Sequence, residues 1–256
     1  NLDVLIVVGG DGTLHIAQEL FEKGVPVVGV PKTIDNDIGG TEVTFGFDSA
    51  VFIATDALDR LHTTAEAHHR VMVLELMGRD AGFISLHAGL AGGADVILIP
   101  EIPFRYEAIR AKVDERASRG TKFSIIAAAE GARPVNGSQI FSRPGDQIYL
   151  PRLGGIGDLV SQYLSLTCGY ESRVTVLGHL QRGGSPTPYD RWLATRYGAA
   201  AVRTAQAGEF GQMVALQNGQ IVGVKLSDAL AIPKRVDLKG DTILTARGLG
   251  ICLGDE

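Results

Sequence analysis

Short apolar runs rich in β-branched residues punctuate the chain, and between them apolar residues return every three or four positions. The runs "DVLIVV", "VPVVGV", "RVMVLEL", "ADVILIP", "KFSIIAAA" and "SRVTVLG" have the character of buried strands. The intervening pattern predicts helices over Leu14 to Lys23, Ser49 to His62, Gly82 to Leu90, Tyr106 to Ser118, Gly155 to Leu166 and Asp190 to Ala207. Within the Tyr106 helix, Ile109, Val113 and Ala117 stand four apart on one face. Strand and helix in alternation give an α/β fold with a mostly parallel sheet flanked by helices. Near the end, "MVALQNGQIVGV" sets Asn218-Gly219 between alternating segments and predicts a hairpin outside the βα series, because both turn positions favour positive φ.

The polar residues are phased against this pattern. Asp11 follows the first run, Asp35 and Asp37 the second, Arg79 the third, Glu130 the run "IIAAA", and His179 with Arg182 the last. Open parallel sheets bind ligands just outside the carboxyl ends of their strands, so this placement points to an active cleft. Glycine- and proline-rich stretches at Pro31 to Gly40, Arg143 to Gly157 and Gly183 to Tyr189 read as functional loops or hinges.

Composition narrows the class. With 45% hydrophobic residues the chain of 256 can bury a substantial core, as one large domain or two small ones. A formal charge of −5 without like-charge runs argues against nucleic acid or an anionic membrane as the main partner, so local basic residues must do any anion binding. Two cysteines, Cys168 and Cys252, fit neither a zinc motif nor a disulfide scaffold; they read as buried small hydrophobes of a protein in the reducing cytoplasm. No apolar stretch reaches membrane-spanning length, and no targeting pattern opens the chain. Asn1 leads straight into the apolar run Val4 to Val8, so a preceding segment is expected to be missing.

Two glycine-bearing clusters carry the chemistry. In "VVGGDGTL", Gly9, Gly10, Gly12 and Thr13 surround Asp11 between a strand and a helix start. Such a turn brings backbone N–H groups and a helix amino terminus to phosphate oxygens, and Asp11 could hold magnesium directly or through water. A tight turn with Asp11 as a helix cap explains the same residues, and NAD and diacylglycerol kinases share the pattern. In "PKTIDNDIGGT", Pro31 fixes an extended exit, Gly39 and Gly40 allow a tight return, and Asp35 and Asp37 point to similar sides if the segment stays extended.

Together, "GGDG" followed by "TIDND" resembles the 6-phosphofructokinase family. The resemblance continues in order through "AEAHHRVMVLELMGRDAG", "AGGADVILIPE", "AEGARP" and "ESRVTVLGHLQRGGSPTPYDR", covering nearly the whole chain. It implies two similar three-layer α/β/α domains with a cleft between them: residues 1–46 plus 181–230 for ATP and magnesium, 47–180 plus 231–256 for fructose 6-phosphate. The reaction implied is phosphoryl transfer from ATP to the 1-hydroxyl of fructose 6-phosphate, giving fructose 1,6-bisphosphate. Asp35 matches the base that accepts the sugar hydroxyl proton; Thr33 is a substrate-side residue, Asp37 a neighbouring carboxylate, and Asp11 the Mg2+ ligand. Gly9, Gly10, Gly12, Thr13 and Lys32 belong to the donor site, and Met77, Gly78, Arg79, Glu130, His179 and Arg182 to the fructose pocket. Arg70 and Arg173 are implied to grip the sugar phosphate in a neighbouring subunit's site, so a homo-oligomer, dimer or tetramer, with shared sites is expected. The physics fits these roles, since Arg grips phosphate through a planar fork, His179 adds a tunable donor, and Arg79 suits the charge on a transferring phosphoryl group.

Some features depart from the family or divide it. Gly12 leaves space where pyrophosphate-dependent relatives carry a second Asp, whereas Lys32 is the residue those relatives share; the pair resembles a third, generally ATP-using group. Pyrophosphate therefore stays open as donor. A further glycine-rich loop and an arginine that family members carry ahead of the first strand are not in this sequence, which leaves an inactive fragment or regulatory homologue as another reading. At the family's effector positions, His62 and Thr121 replace expected basic residues, while Arg119 and Asp95 are compatible. His62, His68 and His69 are expected to be structural.

Overall fold

The computed structural model describes residues 2–143 and 152–256, which divide into two compact units at Ser49/Ala50, Gly184/Ser185 and Lys234/Arg235: the first takes the described residues up to Ser49 with Ser185–Lys234, the second those from Ala50 to Gly184 with Arg235–Glu256.

The first unit holds strands β1 (Leu5–Gly9), β2 (Val27–Thr33) and β3 (Phe45–Gly46) and helix α1 (Asp11–Glu22). The later part of the chain adds helices α6 (Pro188–Gln206) and α7 (Leu226–Ala231) and strands β10 (Gln212–Gln217) and β11 (Gln220–Lys225). Its sheet runs β1-β2-β10-β11, with β3 beside the end of β2. The pairs β1/β2 and β2/β10 are parallel, and β10/β11 is the antiparallel hairpin predicted around Asn218-Gly219, with Asn218 at φ 49° and Gly219 at φ 75°. Alternate residues of each strand face opposite layers. Val27, Met213 and Ala215 meet α1 and α7 through Leu14, Ala17 and Leu226. Val28, Val30, Val214 and Leu216 meet α6 through Leu193, Tyr197 and Ala201.

The second unit holds α2 (Phe47–His68), whose first turn contains the division, then β4 (Val71–Leu76), α3 (Phe83–Ala91), β5 (Val96–Leu98), α4 (Tyr106–Ser118) and β6 (Ser124–Ala129). There follow the ribbon β7 (Phe141–Arg143) and β8 (Arg152–Leu153), α5 (Ile156–Gln162), β9 (Ser172–Val176) and α8 (Asp241–Gly248). Its four-stranded sheet, β5-β6-β4-β9, is wholly parallel, and β4, β5 and β6 are buried along their full length. One face packs on α4 and α5 through Ile109, Val113, Ile156 and Val160. The other takes α3, where Gly89 leaves no room for a Cβ, which would stand 2.7 Å from Ile97. Each unit is thus a helix, sheet, helix sandwich.

Several local expectations are corrected. Helix α1 starts at Asp11 rather than Leu14 and takes Gly12, a poor helix former that masks the start in the sequence, into its first turn. The predicted helix over Gly155 to Leu166 divides into α5 and a π-helical turn, Tyr163–Thr167. The ribbon β7/β8, α7 and α8 were not legible in the apolar pattern. The segment carrying Asp35 and Asp37 does not stay extended, since Asn36 between them adopts φ 54°. Cys168 and Cys252 are free thiols that pack against the core of the second unit but are only partly buried. Part of the Arg143 to Gly157 loop, residues 144–151, lies outside the described residues. Among the described residues, no helix is long and apolar enough to cross a membrane.

Candidate active site

In the first unit the site grows from the ends of two neighbouring parallel strands, where Gly9 of β1 pairs with Pro31 of β2. Gly10 is the N-cap of α1 and donates no side-chain cap, so Asp11 is the first helical residue and not the cap. Its carboxylate lies in the first turn, where the helix dipole favours an anion, and its side chain is 46% exposed. His15, one turn on, brings Nδ1 to 3.3 Å from the Asp11 carboxylate and 3.0 Å from its carbonyl. The spacing of four was the available signal for His15. Gly9 is forced, because a Cβ there would sit 2.5 Å from Thr13. Gly12 is the opposite case, with no atom within 4 Å of where its Cβ would be.

The acidic loop lies alongside. A Cβ on Gly10 would stand 3.3 Å from that of Thr33, so the glycine turn and the loop abut. The Asp35 amide donates to Thr33 Oγ1 at 3.2 Å, the Thr44 amide to Asn36 Oδ1 at 3.0 Å, and Thr44 Oγ1 to the Thr33 carbonyl at 2.9 Å. Asp35 and Asn36 are buried, whereas Lys32 is exposed at the end of β2. The positive φ of Asn36 suits a side chain that hydrogen-bonds locally.

In the second unit, Met77, Arg79, Glu130, His179 and Arg182 line one cavity of about 790 Å³ at the carboxyl ends of β4, β6 and β9. Arg79 turns there with φ 50°, after Gly78 at φ 143°. Its amide donates to the Glu130 carboxylate at 3.1 Å, and the Met77 amide donates to Gln181 Oε1 at 2.8 Å. The loops after β4 and β6 touch, since a Cβ on Gly131 would stand 2.0 Å from the Arg79 carbonyl oxygen. Burial pushes the Glu130 carboxyl above its ordinary value, against the backbone N–H groups of Arg79 and Gly78 and the charge of Arg182. His179 and Arg182 stand on a 3-10 turn, Gly178–Arg182, directly after β9.

Glu75, Arg143, Arg152 and Asp158 also line this cavity and were not named singly from the sequence, although Arg143 and Arg152 fall in the stretch read there as a functional loop. Arg143 and Arg152 come from the β7/β8 ribbon, whose short strands carry no apolar period. Glu75 is buried inside β4, where its carboxylate accepts N–H groups from Gly155 at 3.0 Å and Gly157 at 2.8 Å. It thereby takes up free donors at the start of α5. A second cavity of about 720 Å³, beside Asp80, Glu101, Arg133 and Arg235, contains none of the predicted site residues.

Arg70 and Arg173 are not brought to the cavity. They stand at the amino ends of β4 and β9, the opposite end of the sheet, and both reach Glu171, at 2.8 and 2.7 Å. Of the effector positions, Asp95 is committed internally, accepting from the Ile125 amide at 2.9 Å and pairing with Arg116 at 2.7 Å. His62 holds the Gly92 carbonyl at 2.8 Å and meets the Phe123 ring edge-on, which is a structural use. Arg119 pairs with Glu115 on the surface.

Fold and strand-end chemistry define a two-unit α/β protein that presents glycine turns, carboxylates and arginines where parallel strands stop. The chain belongs to the phosphofructokinase family, whose model, described as "Phosphofructokinase", matches residues 1–205. It is 59% identical over 256 residues to the ATP-dependent 6-phosphofructokinase of Chloroflexus aggregans, covering all of this chain and 70% of that one. It is 52% identical over 241 residues to the pyrophosphate–fructose 6-phosphate 1-phosphotransferase of Amycolatopsis mediterranei, covering 93% of this chain and 70% of that protein. The solved phosphofructokinase of Saccharomyces cerevisiae superposes with a TM-score of 0.74 at 30% identity, over 90% of this chain and 32% of that chain. The chain therefore spans about a third of the yeast polypeptide it matches.

The raised pKa of Glu130 has a consequence for stability. The folded state holds this proton more tightly than the unfolded chain, so the stability it contributes is present at low pH and is lost as pH rises from the ordinary carboxylate value through the raised one. Glu130→Gln keeps an oxygen for the Arg79 amide and removes the buried charge. Its unfolding midpoint at pH 7 is expected to equal or exceed that of the wild type, with a flatter dependence between pH 4 and pH 7 in thermal denaturation. A lower midpoint at pH 7 would show that the charge itself holds the two loops together.

Proposed function

We propose that the protein is a 6-phosphofructokinase that transfers a phosphoryl group from ATP to the 1-hydroxyl of fructose 6-phosphate. The observation that carries this is the joint presence of the glycine turn at Gly9 to Thr13 and the abutting acidic loop at Thr33 to Asp37, in a chain 59% identical to an enzyme of that name. In this reading the first unit serves the donor and the second the sugar phosphate. Asp35 accepts the proton of the attacking hydroxyl, and its burial and the bonds that fix its loop suit a group that must hold one orientation. Thr33 and Asp37 flank it. Arg79 and Arg182 offer charge to the phosphoryl group and the sugar phosphate, while Glu130 and His179 orient the sugar hydroxyls. With Asp11, Asp35 and Arg79 all present, the reading as an inactive homologue has no missing catalytic group behind it.

Magnesium fits the residues present. Asp11 offers one exposed carboxylate beside a helix amino terminus, and magnesium is commonly held by one or two carboxylates together with phosphate oxygens and water. When bound, the ion would neutralise phosphate charge; the main-chain N–H groups of the glycine turn orient the phosphates. Arg70 and Arg173 stand at the far end of their own sheet from Glu130 and His179, which supports their service to a second copy of the chain and hence a homo-oligomer with shared sites. Two free thiols agree with a cytoplasmic setting.

For the donor, the open space at Gly12 favours ATP, and Lys32 together with the pyrophosphate-using relative favours pyrophosphate. The steric argument is the stronger, because a lysine beside phosphates neutralises charge whichever donor binds.

Asp35→Asn preserves shape and removes proton acceptance, so kcat should fall by about 10²-fold or more with KM for fructose 6-phosphate little changed. Near-normal turnover in this variant removes Asp35 from the mechanism.

Gly12→Asp fits without clash and would set a carboxylate near the nucleotide phosphates. A like charge at about 4 Å costs on the order of 1 to 4 kcal/mol, depending on the local dielectric. The kcat/KM for ATP should drop accordingly, and the ratio of pyrophosphate to ATP use should rise. An unmoved ratio in steady-state assays with both donors makes Lys32 the better guide.

A further inference from the structure

The acidic loop is fastened from one side by its own residues, and from the other by a segment far along the chain. Ile38 is buried against α7, in the cluster that includes Leu226 and Ala229. Gly39 presses so closely on the end of that helix that a Cβ would meet the Ala229 carbonyl oxygen at 2.6 Å and that of Ile232 at 3.1 Å. Two residues on, the Lys234 amide donates to the Asp37 carbonyl at 2.8 Å. The Lys234 side chain then turns to the loop's return, where Nζ donates to the carbonyls of Thr41 at 3.2 Å and Glu42 at 2.5 Å. One residue therefore holds the loop at two places, immediately after the carboxylates and at the far side of the glycine return.

Further ties on this return come from α6 and β10. Thr41 Oγ1 meets Tyr197 Oη at 2.9 Å and accepts from the Leu216 amide at 3.0 Å, while the Glu42 amide donates to the Leu216 carbonyl at 2.9 Å. These fix Thr41 and Glu42, and Gln217 Nε2 of β10 donates to the Gly40 carbonyl at 2.8 Å. The 229–234 segment adds its contacts at Gly39 and Asp37, the part of the return nearest the carboxylates.

Building on the phosphofructokinase reading, we infer that Lys234 is a positioning residue for phosphoryl transfer, locking the Asp35 to Asp37 segment against α7 so that the carboxylates keep a single orientation. It touches neither donor nor sugar in this account and acts through the loop backbone. A lysine suits the task because an ammonium carries three donors, and carbonyls from two successive residues need at least two in one place. The charged groups acting on it are Glu42 and Asp37, both of which favour the ammonium; burial opposes them and is the larger effect, bringing the group down to about 8. The charged form therefore prevails at neutral pH and is lost as pH rises through about 8.

The test compares Lys234→Met and Lys234→Arg with the wild-type full-length gene product. Amide hydrogen exchange over residues 35–44 is read first, because it does not depend on activity. It should rise about tenfold in Lys234→Met and return toward the wild-type rate in Lys234→Arg, which restores a cation with several donors. In a wild type that turns over fructose 6-phosphate, Lys234→Met should lower kcat by about tenfold or more with little change in KM for the sugar. The wild-type kcat should decline above about pH 8, and Lys234→Arg should shift that decline upward, because an arginine does not lose its proton there. Unchanged exchange across the loop in Lys234→Met overturns the inference whether or not the protein is a kinase, and so does an unchanged kcat in an active enzyme. A wild type inactive on fructose 6-phosphate with any donor would instead defeat the function reading, while the exchange result still decides whether Lys234 orders the loop.

Discussion

A parallel strand covered by helices on both faces must be apolar along its length, and that constraint decides where chemistry can occur in this protein. Strands β4, β5 and β6 are buried throughout, so a charged side chain within them must find its partners inside the fold. Glu75 does so by accepting the amides of Gly155 and Gly157. The other polar residues of the site enter where a strand stops. Asp11, Asp35, Arg79, Glu130 and His179 each follow the end of a parallel strand by a few residues, and the sheets gather them at their carboxyl ends.

Having been placed at strand ends, these groups must also be held, and loops have no ladder to hold them. Close backbone approach does part of the work. Gly10 lets the glycine turn meet the acidic loop, and Gly131 lets the loop after β6 touch Arg79, both at separations that leave little or no room for a side chain. Side-chain bonds to the backbone do the rest, with Asn36 and Thr44 pinning one side of the acidic loop and Lys234 the other. Asn36, Gln181 and Lys234 all bond loop backbone: Asn36 accepts from the Thr44 amide, Gln181 from the Met77 amide, and Lys234 donates to the Thr41 and Glu42 carbonyls.

Much of this was legible in the sequence, for a physical reason. Buried strands must be apolar runs, so all six expected strands are present, and the residues that follow them stand out because the apolar pattern breaks there. What escaped notice had no such contrast. Glu75 sits inside an apolar run and looks like an exception until its amide partners are seen. Arg143 and Arg152 lie on strands of two or three residues, too short for a period. The extended reading of Asp35 and Asp37 failed at Asn36, whose positive φ is accompanied by a hydrogen bond from the Thr44 amide, eight residues away. That Arg70 and Arg173 open their strands rather than close them was readable from position alone, and it sets them apart from the cavity residues.

The account is tested most directly by incubating the purified full-length gene product with fructose 6-phosphate and magnesium, offering ATP in one reaction and pyrophosphate in the other. Fructose 1,6-bisphosphate formation is followed by phosphorus NMR or a coupled assay. The account predicts turnover with ATP at about 1 to 100 per second, the usual range for kinases, and clearly higher kcat/KM for ATP than for pyrophosphate. No bisphosphate from either donor, or a preference for pyrophosphate, would contradict it.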